Sequence, residues 1–159
     1  GAGKDSSKLE KGVKLIQKIS GTTPIKTFTT KRIPSWGLRP GLPLGCKVTM
    51  RGENAEKVLK MLLTAKDNAL LEKQFDKNGN VSFGIAEYID VTGLDYDPEI
   101  GIMGFDVCVT FDRPGFRVKN RKIKTKKVGK NHRISREEAM AFMREKFGIK
   151  VKRSEDDSE

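Results

Sequence analysis

Apolar and polar positions repeat along this chain at two periods. Leu9, Val13, Ile16 and Ile19 recur at three- and four-residue steps, which places their side chains on one face of a helix. Ser7 and Glu10 have the spacing of a capping box ahead of that stripe, and Gly21 supplies its stop. Thr22 to Thr30, rich in threonine around Ile25 and Phe28, predicts a strand. An irregular stretch follows from Arg32 to Gly45, punctuated by Pro34, Gly37, Pro40, Gly41 and Pro43. Cys46, Val48 and Met50 then alternate with Lys47, Thr49 and Arg51, the mark of a strand with one apolar and one cationic face. Asn54 is placed to cap the next helix, in which Val58, Leu59, Leu62 and Leu63 lie opposite Lys57 and Lys60.

The second half repeats the scheme. Residues 72–80 contain Asn78-Gly79 and predict a turn, and Val81, Phe83 and Ile85 alternate in the strand beyond it. Residues 93–104 form another irregular connection, after which Phe105, Val107, Val109 and Phe111 give the cleanest period of two in the chain. Ser135 and Glu138 form a second capping box, with Met140, Met143 and Phe147 along one face and Gly148 as the stop. Helices interleaved with one-sided strands predict an α+β fold: a single domain over residues 1–153, mostly antiparallel sheet with helices packed on one face. Residues 154–159 read as an acidic disordered tail. No repeat of roughly 20 to 50 residues recurs, which excludes a solenoid.

Charge narrows the partner. The 159 residues carry 32 Lys and Arg against 21 Asp and Glu, a net charge of +11. Much of that excess sits between Arg113 and Arg133, where Arg113, Arg117, Lys119, Arg121, Lys122, Lys124, Lys126, Lys127, Lys130 and Arg133 occur without one acidic residue. Such a run repels itself and stays extended until a polyanion neutralises it, and releasing counterions from phosphates makes that contact tight. RNA is the first suspect; a solvated, mobile loop is the plain alternative. Pro114, Gly115 and Phe116 begin the run with a turn and a ring able to stack, and His132 lies near its end. No apolar stretch approaches the roughly 20 residues of a spanning helix and no signal peptide opens the chain, so the expectation is a soluble, intracellular protein with no membrane partner. Cys46 and Cys108 fall within apolar strand patterns and are expected to be reduced and to pack as small hydrophobes.

Motifs for chemistry are weak. Gly1-Ala2-Gly3-Lys4 resembles a phosphate loop but has Asp5 where magnesium needs Ser or Thr, so it reads as a flexible lead. Asp95, Asp97 and Glu99 have the spacing of a calcium loop, yet Ile100 stands where that loop requires glycine. Turn chemistry explains them better. The same carboxylates define the competing function, a metal-dependent RNA-processing enzyme, but no base or nucleophile accompanies them and a non-enzyme without metal or cofactor is the stronger reading. Gly104-Phe105 with Val107, Val109 and Phe111 has part of an RNA-recognition signature without its leading basic residue, and core packing accounts for it. Trp36 lies among Lys31, Arg32 and Arg39, placed either to stack on a base or to pin its loop to the core; with Lys47 and Arg51 these cations suggest a second RNA contact.

Several long segments carry a family resemblance in the right order: Trp36-Gly-Leu-Arg-Pro-Gly-Leu-Pro-Leu-Gly-Cys-Lys-Val-Thr-Met-Arg-Gly52, Gly79-Asn-Val-Ser-Phe-Gly84, Asp95-Tyr-Asp-Pro-Glu-Ile-Gly101, Arg113-Pro-Gly-Phe116 and Lys130-Asn-His-Arg-Ile-Ser-Arg-Glu-Glu-Ala139. From the first helix to Val151 the chain resembles the large-subunit ribosomal protein L-five family in its archaeal and eukaryotic form. The resemblance implies a structural constituent of the large ribosomal subunit that binds 5S ribosomal RNA and helps attach it at the central protuberance. It implies as partners the large-subunit rRNA, the peptidyl-site transfer RNA, a neighbouring 5S-binding ribosomal protein and a small-subunit head protein met through an intersubunit bridge. By position, Lys31 to Arg51 resembles the family's 5S contact region, with Asn80 and Ser82 near it on the sheet. Gln74, Lys77 and Asn78 fall in the loop that reaches toward transfer RNA, and the basic segment after Arg113 resembles an extension lying among rRNA helices. The family also has an apolar strand before its first helix, where this sequence begins at Gly1. The implied state is one copy per ribosome, and the basic segment is expected to be mobile off it.

Overall fold

A computed structural model describes residues 1–152, so the expected acidic tail lies outside the described residues. The α+β class is as the pattern predicts, but within it the chain forms two compact units, residues 1–65 with 86–105 and residues 66–85 with those from 106 onward. Strands pair as three two-stranded ribbons.

In the first unit, helix α1 spans Ser6–Ser20 and is capped by Asp5, whose carboxylate accepts from the Ser7 and Lys8 amides at 2.9 and 3.2 Å. Ser7 is therefore inside the helix and its expected capping box does not form; the carboxylate two residues upstream satisfies the same free amides. Gly21, at φ 64°, ends the helix as expected. The buried face runs through Leu9, Gly12 and Leu15. Glycine at position 12 lets the helix approach strand β2, Pro43–Lys47, since a Cβ there would sit 3.3 Å from the Cys46 Sγ. Burial pushes the Cys46 thiol pKa up. Strand β1, Ile25–Phe28, pairs antiparallel with β2 from Ile25↔Lys47 to Phe28↔Pro43, with a bulge after Thr27. Strand β2 thus starts three residues earlier than the sequence pattern indicates and ends before Val48. Helix α2, Gly52–Thr64, starts after Arg51 without any side-chain cap, so Asn54 lies in its first turn; Leu62 and Leu63 are its buried residues. Tyr88, fully buried, gathers Leu15 and Ile100 around it, with Ile19, Leu94, Met103 and Phe105 at the margin. Its hydroxyl accepts from the Asp97 amide at 2.7 Å, which meets the polar need of a buried tyrosine.

In the second unit, strand β3, Ala69–Leu71, runs parallel to β6, Lys150–Lys152, and strand β4, Val81–Ile85, pairs with β5, Phe105–Val109. Along β4 the inward residues Val81, Phe83 and Ile85 are buried while Ser82 and Gly84 are exposed. On β5 the exposed residues are Asp106 and Cys108, and Thr110 just past its end is exposed too. Cys108 therefore does not pack as a small hydrophobe: it stands on the strand's wet face, and both cysteines are free thiols. A short helix, α3, spans Arg117–Asn120. Helix α4, Arg136–Phe147, has the expected box, with Glu138 N–H donating to Ser135 Oγ at 3.2 Å and Ser135 N–H to the Glu138 carboxylate at 3.0 Å. It buries Ala139 and Met143 and stops at Gly148, φ 65°.

One glycine fixes the turn before β4. Gly79 has φ 75°, and a Cβ on it would lie 2.8 Å from Ile134 Cγ2 and 3.2 Å from the Ser135 carbonyl oxygen. Gly79→Ala is expected to cost about 2–4 kcal/mol from the positive φ and the clash together; urea unfolding within about 0.5 kcal/mol of wild type would contradict this packing.

Candidate nucleic-acid interface

Two sets of cations are assembled, one in each unit. In the first, Thr29 continues β1: its amide donates to the Leu42 carbonyl at 2.9 Å, and its hydroxyl donates to the Arg39 carbonyl. Ile33 and Leu38 exchange backbone hydrogen bonds at 3.1 and 3.0 Å, closing Pro34, Ser35, Trp36 and Gly37 into a tight turn. The stretch expected to be irregular is thus an ordered loop. Trp36 is 65% exposed at its tip, so it does not pin the loop to the core. Lys31, Arg32, Arg39, Lys47 and Arg51 are exposed as well. Phe28 and Ile25 add apolar surface at 60% and 68% exposure, which the strand pattern alone does not foretell.

The second set is the run from Arg113 to Arg133, and it is folded rather than extended. Lys119 and Phe116 are bonded through their backbones, the α3 turn ends as the Arg121 amide donates to Arg117, and Arg121 Nε donates to the Lys124 carbonyl at 2.8 Å. Lys126 N–H reaches back to the Val118 carbonyl at 3.3 Å. Local backbone bonds at Phe116, Val118, Lys119, Arg121, Lys126, His132 and Arg133 oppose the self-repulsion of the segment. Arg117, Lys119, Arg121, Lys122, Lys124, Lys126, Lys127, Lys130, His132 and Arg133 remain exposed. Phe116 is different. Its ring is 8% exposed, so it is not offered to a base as expected; it packs edge-on to His132 at 5.4 Å, with Lys119 Nζ 4.7 Å from its centre. Arg113 is half-buried and committed to Glu138 at 3.0 Å.

The turn residues fall in this unit also. Gln74 Oε1 accepts from the Leu71 amide at 2.9 Å, which turns it inward, whereas Lys77 and Asn78 are exposed. Asp76 organises them: its carboxylate accepts from the Lys77 amide at 2.6 Å and from the Asn78 and Asn80 side chains, and those donors lower its pKa. Asn80 is half-buried and Ser82 exposed, both in the second unit, whereas Lys31 to Arg51 lie in the first. Arg136 ties the turn to α4 through an ion pair with Glu72 at 3.7 Å and a bond to its carbonyl. Nothing local in the sequence signals that pair, 64 residues apart.

The acids at 95–99 serve the first unit's packing. Lys14 meets Glu99 at 2.6 Å and Lys18 meets Asp97 at 3.6 Å, while Asp97 Oδ1 accepts from the Glu99 amide at 3.0 Å. No group of three or more metal-ligating side chains occurs among the described residues. No helix there is long and apolar enough to cross a membrane.

Comparison with known proteins decides between these readings. A profile of the C-terminus of the ribosomal L-five family matches residues 43–142. The chain belongs to the ribosomal L-five family. It is similar to the large ribosomal subunit protein uL5 of Methanosphaera stadtmanae, 44% identical over 151 residues, covering 95% of this chain and 90% of that one. The uL5 proteins of Methanobrevibacter smithii and Nanoarchaeum equitans are each 43% identical, over 94% and 95% of this chain and 88% and 89% of theirs. This family is one of structural ribosomal components, not enzymes, so the metal-dependent RNA-processing alternative through Asp95, Asp97 and Glu99 is set aside.

Glu138 carries a pH-dependent consequence. The Ser135 amide and then Arg113 hold its pKa below the ordinary 4.5. A carboxylate lowered on folding stabilises above its unfolded value, and that gain is lost as pH falls through the folded one. The stability difference between wild type and Glu138→Gln is therefore expected to be full at pH 7 and to shrink steadily below pH 4.5. Chemical denaturation at several pH values tests this; a difference that grows toward acid would refute it.

Proposed function

We propose that this chain is a structural protein of the large ribosomal subunit that binds 5S ribosomal RNA and helps seat it at the central protuberance. The observation that carries the reading is Trp36, exposed at the tip of an ordered loop and flanked by Lys31, Arg32 and Arg39, in a member of the ribosomal L-five family. An aromatic ring held out among cations suits an unstacked base beside its own phosphates. Lys47 and Arg51 extend this surface; Asn80 and Ser82 are proposed as further 5S contacts. The cationic arm, residues 113–133, is the proposed contact to large-subunit rRNA. Lys77 and Asn78 are the exposed residues proposed to face the peptidyl-site transfer RNA, with Gln74 shaping their turn. A single RNA-binding domain over residues 1–153, a neighbouring 5S-binding protein, a bridge to the small-subunit head and a cytoplasmic location complete the proposal.

Phosphate neutralisation sets the signature. With about six phosphates contacted, the log-log slope of 5S affinity against salt is expected near minus 4 to minus 5. Arg39→Ala and Trp36→Ala are expected to weaken 5S binding more than Lys124→Ala, read by gel shift with transfer RNA as competitor at moderate salt. Equal losses in all three, or no preference for 5S over a random transcript, would defeat the assignment.

A further inference from the structure

The arm contains two closures that charge alone does not explain. At its base, His132 Nε2 lies 2.8 Å from the Pro114 carbonyl oxygen, 18 residues earlier. A carbonyl only accepts, so Nε2 carries the proton and donates. The imidazole stands edge-on to the Phe116 ring, and the turn beneath it is set by Gly115, whose φ of 97° lies in the left-handed region that favours glycine. Further out, the Lys126 amide donates to the Val118 carbonyl and Thr125 Oγ to the Arg121 carbonyl at 2.6 Å. Two flanking acids brace the base: Asp112 meets Lys119 at 3.2 Å, and Glu138 meets Arg113.

We propose that Phe116 and His132 form a latch that closes the base of the arm and presents its cations in a fixed shape to ribosomal RNA. They act as positioning residues. Neither ring needs to touch a nucleotide, because Phe116 is buried and His132 already spends Nε2 on Pro114. The inference rests on reading the arm as an RNA surface. Without the latch the same ten cations hang on a flexible loop, and RNA must order that loop as it binds, which lowers affinity without changing the number of phosphates neutralised. The latch therefore moves affinity and leaves the salt slope alone.

The test compares full-length wild type, His132→Ala, Phe116→Ala, Phe116→Tyr and the triple variant Lys124→Ala/Lys126→Ala/Lys127→Ala at pH 8. The probe is deproteinised large-subunit rRNA, with affinity and salt slope read by filter binding. Limited trypsin digestion of the free protein reports cleavage within residues 117–130. His132 is exposed, so its variant is expected to keep the fold even if Phe116→Ala does not. For His132→Ala we expect binding weaker by about tenfold, an unchanged salt slope and cleavage of the arm about tenfold faster; Phe116→Tyr, which keeps the ring, should match wild type. The triple variant should reduce the slope by about 2 to 3. His132→Ala with wild-type affinity and protection, beside a weakened triple variant, overturns the latch alone. A triple variant that binds like wild type removes the RNA reading and the latch with it.

Discussion

Repulsion between like charges is the constraint that shapes this molecule's second unit. Ten cations fall within residues 113–133 with no acid among them. Exposed ion pairs offset little of that repulsion, each contributing about 0–1 kcal/mol; Asp112 and Glu138, from just outside the run, pair with Lys119 and Arg113. What holds the segment is not ion pairing: it is amide hydrogen bonds and a buried ring packed edge-on against an imidazole. The outcome is a dense positive surface whose charges are not already cancelled from within.

The first unit reaches a similar end differently. Its loop at 29–42 is closed by backbone bonds between Ile33 and Leu38, so its tip displays Trp36 without packing behind it. Asp97 and Glu99 are placed elsewhere, on the segment bonded to the buried Tyr88, where Lys18 and Lys14 engage them. The bond that Lys14 donates to Glu99 raises the lysine's pKa. Acidic groups thus fasten Lys14, Lys18, Arg113 and Arg136 to the frame, while Arg32, Arg39 and most of the arm's cations stay exposed.

The strongest periodic elements were readable in the sequence. Helix α4, with its Ser135 box and Gly148 stop, matches residue for residue, because short-range bonds decide both ends. Strands β4 and β5 follow from alternation that burial enforces. Strands β3 and β6 were not readable, since three residues are too few for a period and their pairing is non-local. Helix starts differed from the pattern: Asp5 caps α1 in place of Ser7, and α2 begins at Gly52 with no side-chain cap, ahead of Asn54. Among site residues, composition located the cations, but which of them are committed depended on partners far along the chain. Arg113 to Glu138 and Phe116 to His132 are set by tertiary contact. Sequence spacing gave the arm's charge and not its shape.

The parallel pairing of β3 with β6 joins residues 69–71 to residues 150–152. During synthesis the first unit has all of its segments once residue 105 has emerged, whereas β3 waits for nearly half the chain before its partner exists. An unpaired strand edge with Leu70 beside it is exposed for that interval, and chains in that state are prone to associate. Assembly of this protein is therefore most vulnerable late in translation, in the interval before the last described strand arrives.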